Sequence, residues 1–357
     1  MISHTTAFVL ALLLALGLTP LMGALAVRLG AVSDVGGRNV NTREVPRLGG
    51  VAVAVATLTP LLLLFLLQTN AVQRIESETL TVAGVGIGAA LSCALGAFDD
   101  VRRVPAKVKL LGQLLCAVLA YAVGCRIELV QLPIFGLVDA AWLSLPLTVL
   151  WIVGITNAIN LIDGLDGLAA GVVFCAAATN LVVAAIGGHT MVALVMSALM
   201  GALLGFLFFN FNPATIFMGD SGSYFAGFLL ATASLVGNQK ASTAVSLLVP
   251  VLALGVPIFD TLFSIVRRAL ERRPVFSPDR GHIHHKLLDL GLTHRRAVLL
   301  LYLFSALLAL SGLMMSIGRN WTQGAAMLLA SSLVFGLFRL ASGIARRHSM
   351  PPPRSRD

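Results

Sequence analysis

Apolar runs of about 17 to 25 residues recur along the whole 357-residue chain, separated by short polar stretches that hold most of its charge. A helix rises 1.5 Å per residue and needs about 20 apolar residues to cross the hydrocarbon core of a bilayer, so runs of this length can span a membrane. The pattern predicts eleven spans, near 7–27, 48–68, 79–98, 110–124, 141–157, 168–187, 190–209, 223–237, 244–269, 297–317 and 323–343. The run at 110–124 is short, so the count is ten or eleven. The stretch after it, GCRIELVQLPIFGLV, alternates apolar and polar positions as a brief external strand or hairpin does. The first run follows MISHTT, which lacks the Lys or Arg of a secretion-signal n-region, and it reads as a retained span. No Pro/Ser-rich linker divides the runs. The expected fold is an all-α polytopic membrane bundle of 10–11 transmembrane helices. It forms one integral membrane domain over 1–357, with a basic tail from about 344 to 357.

Composition agrees with this reading: 57% of residues are hydrophobic, 11% are charged, and the mean hydropathy is +0.91. The net charge of +9 raises the question of nucleic acid, and its distribution answers it. One set of loops holds Arg28, Arg38, Arg43, Arg47, Arg102, Arg103, Lys107 and Lys109, eight more cations between Arg267 and Arg296, and the basic tail. The opposite loops hold Arg74, Arg126, Lys240 and Arg319. Such asymmetry follows the positive-inside rule, putting the basic loops in the cytoplasm and the N-terminus outside. The charge is therefore read as topology, and no nucleic-acid partner is expected. The four cysteines lie in or at the ends of spans without a CxxC pair, which favours packing over disulfides or a thiolate metal site.

Polar clusters collect on the predicted cytoplasmic side. Asp99 and Asp100 end the third span in FDDVRRVPAKVK, Asp163 and Asp166 end the fifth in NAINLIDGLDG, and Asp220 follows the seventh in NFNPATIFMGDSGS. The loops carrying Asp163, Asp166 and Asp220 contain no Lys or Arg, unlike an ordinary cytoplasmic loop. Asn157, Asn160, Asp163 and Asp166 recur every third residue and so share one side of a helical segment; a plain helix cap needs one such residue, not four. Adjacent carboxylates at Asp99 and Asp100 repel unless a cation or proton lies between them. Lys109 and Gln113, one turn apart, are placed to hold a phosphate oxygen near them. Asn210 and Asn212 offer polar edges, and Phe217 a stacking face. A Gly-Asp-Ser-Gly-Ser run opening a helix suits a phosphate or a carboxylate-held metal, or equally a cap of the following helix.

A last cluster, SPDRGHIHHKLLDLGLTHRRA, places His282, His284 and His285 too close together for a helical HExxH zinc site. With Arg280 and Lys286 they suit a pyrophosphate, which accepts hydrogen bonds and charge; a plain basic surface loop is the alternative. Asp260 is the one acid well inside an apolar run, and both a pairing with Arg267 or another nearby cation and a contact with the cleft remain open. A transporter would place ionisable groups near the bilayer midplane; here they gather at one face. Hard carboxylates, cationic clamps and a stacking aromatic suit a nucleotide diphosphate held through Mg²⁺, with a lipid as the second substrate.

These motifs, with PRLGG at residues 46–50, resemble in order and membrane position those of the polyprenyl-phosphate N-acetylhexosamine-1-phosphate transferases, over about residues 35–300. That family includes the phospho-N-acetylmuramoyl-pentapeptide transferases. The resemblance implies transfer of a sugar-1-phosphate from a UDP-sugar to undecaprenyl phosphate, with release of UMP and a requirement for Mg²⁺, for which Mn²⁺ is a candidate substitute. The product would start a cell-envelope polysaccharide. It further implies Asp220 as the metal-binding residue, and Asp99 and Asp100 as the pair that activates the lipid phosphate or assists the metal. Asn160, Asp163, Asp166, Asn210 and Phe217 fall on the nucleotide side, His282, His284 and His285 near the diphosphate and sugar, and Lys109 and Arg280 on phosphate oxygens. The implied setting is a bacterial plasma membrane with a cytoplasmic active site; a homodimer is compatible with it. Ile283 interrupts the three consecutive histidines typical of the muramoyl-pentapeptide branch, which favours UDP-GlcNAc as donor.

Overall fold

The computed structural model describes residues 2–33, 44–67, 79–132, 136–139, 141–236, 248–271, 282–317 and 322–329. Their elements are α1 (Ile2–Leu29), α2 (Gly49–Leu66), α3 (Thr79–Arg102), α4 (Ala106–Ala122), β1 (Leu129–Leu132), β2 (Gly136–Asp139), α5 (Ser144–Ile162), α6 (Leu168–Gly187), α7 (Thr190–Asn210), α8 (Gly219–Val236), α9 (Leu248–Ala253), α10 (Gly255–Leu270), α11 (Ile283–Asp289) and α12 (His294–Ile317). A further helical piece covers 322–329. Seven helices, α1, α2, α3, α5, α6, α7 and α12, are long and apolar enough to cross a membrane. The fold is the expected all-α polytopic bundle, with β1 and β2 forming a small antiparallel hairpin where the alternating stretch lies.

The helices are layered around α8. Every residue of α8 from Gly219 to Val236 is buried, against α3 on one side and α5 on the other, with α2 also in contact. A helix that never faces lipid can carry Asp220, Ser221, Ser223, Thr232 and Ser234, provided each polar group finds a partner. Trp151 on α5 donates from Nε1 to the Ala231 carbonyl at 3.2 Å and to Ser234 Oγ at 3.1 Å, fixing α5 along α8. On the far side α1 packs on α7 through small residues. Ala7, Ala11, Ala15 and Thr19, four apart, are fully buried, and they meet α7 where a Cβ on Gly201 would collide with the Phe8 carbonyl. Lipid tails are as apolar as leucine, so association of spans depends on this kind of close backbone packing.

Two differences from the predicted spans change the course of the chain. The run at 244–269 is not one helix but α9 and α10, interrupted at Leu254. Pro257 has no N–H to offer the Ala253 carbonyl, and its ring crowds that carbonyl, which accounts for the interruption one turn before it, although the Leu254 and Ile258 N–H groups still bond four residues back. The predicted span at 223–237 begins four residues earlier, at Gly219, which brings Asp220 inside the helix. Of the predicted span at 323–343, only 322–329 falls among the described residues.

Candidate active site

The site is built on the N-terminus of α8. The chain enters it at Gly219 with φ of +69°, where a side chain would run into the Arg47 carbonyl and the Asp100 carboxylate. The first N–H groups of a helix have no intrahelical acceptor. Asp100, reaching over from α3, supplies one: Oδ1 accepts from the Asp220 N–H and Oδ2 from the Ser221 N–H, both at 3.0 Å. A buried carboxylate at the positive end of a helix is a strong, charge-assisted cap. The close approach of α3 depends on Gly96, where a Cβ would strike the Asp220 carbonyl. From the other side the PRLGG segment docks by backbone hydrogen bonds. Phe217 N–H donates to the Pro46 carbonyl (2.8 Å), Gly49 N–H to the Phe217 carbonyl (3.0 Å) and Gly50 N–H to the Met218 carbonyl (2.8 Å).

Around Asp220 the charges interlock. Lys109 Nζ lies between two carboxylates, 3.1 Å from Asp220 Oδ2 and paired with Asp99 Oδ2. Arg47 reaches Asp100 Oδ1 at 3.5 Å and Asp220 Oδ1 at 3.7 Å. Asn160 Nδ2 donates to Asp220 Oδ1 and to Ser223 Oγ, each at 3.0 Å. Asp99 Oδ1 accepts from the Val104 N–H at 2.6 Å, which fixes the turn into α4. Asn157 Nδ2 donates to Gln113 Oε1 at 2.7 Å and leaves Gln113 Nε2 buried without a partner. Three carboxylates thus face two cations in one cluster, with an unused amide donor one turn of α4 beyond Lys109.

The NAINLIDGLDG segment turns at Asp163, the residue that ends α5. Burial, and then the nearby Asp220 carboxylate, push the Asp163 carboxyl up to about 7, although the residue as a whole is only half-buried. Asp166 turns the other way and accepts at Oδ2 from Asn212 Nδ2 (2.8 Å) and the Ala214 N–H (3.0 Å). Asn210 is spanned at both ends, accepting from the Gly167 N–H at 3.0 Å and donating to the Ile216 carbonyl at 2.9 Å. Asp166 and Asn210 therefore shape the loops, while Asn160 bonds to Asp220 and Ser223, and Asp163 and Phe217 stay half-buried. The histidine segment docks on α10: His282 Nδ1 is 2.9 Å from Asp260 Oδ2, and the Ile283 N–H donates to Asp260 Oδ1 at 2.8 Å. Asp260 thus takes its partner from the histidine segment. His285 is half-buried in α11; the His284 side chain and all of Arg280 lie outside the described residues.

The sequence put Asp99, Asp100 and Lys109 in one motif, Asn160 in a second on the nucleotide side and Asp220 in a third; the structure brings the five together, with Asn160 bonded to Asp220. Sequence reasoning missed Arg47 and Ser223. The signal for Arg47 is a single cation in an otherwise apolar PRLGG segment; for Ser223, a hydroxyl three residues beyond Asp220 in a helix with no exposed face. Among the described residues no three acidic, histidine or cysteine groups converge as a ready-made metal cage. Mg²⁺ seldom needs one, since it commonly takes one or two carboxylates and completes its shell with water and substrate phosphates. The Asp220 and Asp99 oxygens, hard donors now shared with Lys109, suit that arrangement.

Comparison with known proteins agrees with this chemistry. The profile of glycosyl transferase family 4 matches residues 82–238, which include the clusters at Asp99, Lys109, Asp163 and Asp220. A Bacillus subtilis protein named "Probable undecaprenyl-phosphate N-acetylglucosaminyl 1-phosphate transferase" is 40% identical over 322 residues, 90% of this chain and 87% of the relative. The decaprenyl-phosphate N-acetylglucosaminephosphotransferase of Mycolicibacterium smegmatis is 37% identical over 80% of this chain and 75% of its own length. A phospho-N-acetylmuramoyl-pentapeptide-transferase of Halalkalibacterium halodurans is 31% identical over 68% of this chain and 75% of its own length. With one relative similar over almost the whole length and the motif loops assembled at one site, the chain belongs to glycosyl transferase family 4, the polyprenyl-phosphate N-acetylhexosamine-1-phosphate transferases.

Proposed function

We propose that the protein transfers GlcNAc-1-phosphate from UDP-GlcNAc to undecaprenyl phosphate in a bacterial plasma membrane, with the cleft facing the cytoplasm. In this reaction an oxygen of the lipid phosphate bonds to the phosphorus that carries the sugar. The bond from that phosphorus to the oxygen bridging to the uridine phosphate breaks, and UMP leaves with the electron pair. Little covalent chemistry falls to the protein, whose task is positioning and charge neutralisation. The observation that carries the reading is Lys109 held between Asp99 and Asp220, beside the unpartnered Gln113 Nε2. Two phosphates entering there would take hydrogen bonds from Lys109 and Gln113, and from Arg47 at the edge. Asp220, helped by Asp99, would hold Mg²⁺, or Mn²⁺ in its place. Bound there, the ion neutralises phosphate charge. Phe217, pinned through its backbone to the PRLGG segment, offers its ring to uracil, with Asp163 on the same nucleotide side.

The GlcNAc donor is preferred over the muramoyl-pentapeptide donor because the more similar relatives carry GlcNAc names and because Ile283 breaks the histidine run. Purified protein given undecaprenyl phosphate, Mg²⁺ and either UDP-GlcNAc or UDP-MurNAc-pentapeptide separates the two. Rapid UMP release is expected with the first donor only, and preference for the second would reassign the branch.

A further inference from the structure

The start of α12 touches both loops that lead to the Asp220 cluster, and the proposed reaction assigns it no part. His294 Nε2 accepts the Asp166 N–H at 2.9 Å. The donor is a backbone amide, so this nitrogen must be bare and the ring hydrogen sits on Nδ1. The next residue, Arg295, donates from Nε to the Asn212 carbonyl at 2.9 Å. Two turns along α12, Tyr302 donates its hydroxyl to the Gly167 carbonyl, and its ring passes over Gly171, where a Cβ would collide with it. The two loops are also tied to each other, because Asp166 Oδ2 accepts from Asn212 Nδ2 at 2.8 Å and from the Ala214 N–H at 3.0 Å. These ties flank the site. The first loop leaves α5 just after Asn160, which bonds to Asp220, and the second runs into α8 just before Asp220. A loop has no ladder of its own and keeps its shape through bonds of this kind.

We infer that His294 is a positioning residue for the transfer reaction: with Arg295 and Tyr302 it clamps loops 163–167 and 211–218 and holds the nucleotide side in its binding shape before the donor arrives. The clamp acts through Asp166, Gly167 and Asn212 and touches no substrate itself. A loop already in shape takes no share of the donor's binding energy. Loss of the clamp therefore weakens binding of UMP and UDP-GlcNAc and leaves the chemical step largely intact. This consequence rests on the proposed transfer reaction, while the effect of the clamp on the two loops is independent of it.

His294→Gln and His294→Leu separate the acceptor from the ring. The glutamine amide oxygen can still accept the Asp166 N–H, whereas leucine leaves that amide unanswered. In His294→Leu, KM for UDP-GlcNAc and Kd for UMP should rise about tenfold, with kcat and KM for undecaprenyl phosphate within about twofold of the parent protein. His294→Gln should recover most of the loss, and the unfolding temperature should fall only slightly in either variant. Amide hydrogen exchange read by mass spectrometry should rise in peptides covering 163–167 and 211–218 of His294→Leu and stay close to the parent level in His294→Gln. Should leucine prevent folding, Tyr302→Phe removes one hydroxyl, keeps the ring and carries the same test with a smaller rise in KM. Unchanged exchange in both loops overturns the inference. So does a fall in kcat with KM unchanged, a glutamine variant as impaired as the leucine one, or a loss of binding that only follows loss of thermal stability. If exchange rises as expected while the parent protein transfers no sugar-phosphate, the reaction assignment has failed and the clamp has not.

Discussion

Asp99 and Asp100 are neighbours in sequence and do different work because successive helical positions point about 100° apart. Asp99 faces Lys109 and the cleft, whereas both oxygens of Asp100 cap α8 and set the position of Asp220. Asp100→Ala leaves two buried N–H groups without acceptors, at about 1–3 kcal/mol each. It should lower the unfolding temperature and activity together. Asp99→Asn should unfold near the parent temperature and mainly slow the transfer step, with UMP affinity retained; thermal unfolding in detergent and single-turnover kinetics distinguish the two. Asp163 gives a pH test. Its carboxyl is held up at about 7 in the folded protein, so from the ordinary carboxylate range near 4 up to 7 the folded state binds the proton more tightly than the unfolded one. Stability without ligand should therefore fall as pH rises through that window, and Asp163→Asn should lack that slope. The sequence announced Asp163 by its place in a loop without Lys or Arg, and Asp99 and Asp100 as adjacent carboxylates at the end of a span. It did not reveal which were caps, since Asp100 and α8 are brought together only by tertiary packing 120 residues apart.

At the scale of elements, the hydrophobic runs located nearly every helix, because a span must be apolar for its full length wherever lipid touches it. The exceptions are instructive. α8 is wholly buried and is freed from that requirement, so its polar first turn looked like a loop. The α9–α10 break was hidden inside one continuous apolar run, where Pro257 was a local signal that a hydropathy reading averages away. The hairpin was legible from alternation alone. The α1–α7 contact depends on the missing side chain at Gly201, so Gly201→Leu should push α1 off α7. A large loss of thermal stability is expected there. Gly154→Leu, at a site where a Cβ meets nothing within 4 Å, should cost far less. Equal unfolding temperatures for the two variants would remove the close contact from the account.

At the scale of the whole molecule, the motif loops gather at one end of the bundle and leave the other end to the hairpin. With the charge asymmetry, this arrangement supports the proposed topology, in which the active site faces the cytoplasm. Single cysteines introduced at residues 163 and 74 should react with impermeant maleimide from opposite sides of oriented vesicles. Cys93, Cys116 and Cys125 are buried, and Cys175→Ser removes the half-buried fourth thiol from the background. Labelling of both from the same side would reverse the topology. The central claim is that the Asp99–Lys109–Asp220 cluster joins a nucleotide sugar to a lipid phosphate. Its most direct test is mass spectrometry of the lipid, alongside UMP release, using purified protein with UDP-GlcNAc and undecaprenyl phosphate. The account predicts one undecaprenyl-diphospho-GlcNAc per UMP, dependent on Mg²⁺ and nearly abolished in Asp220→Asn although that variant still inserts and purifies. UMP formed without the lipid product, or near-normal transfer by Asp220→Asn at ordinary Mg²⁺, would contradict it.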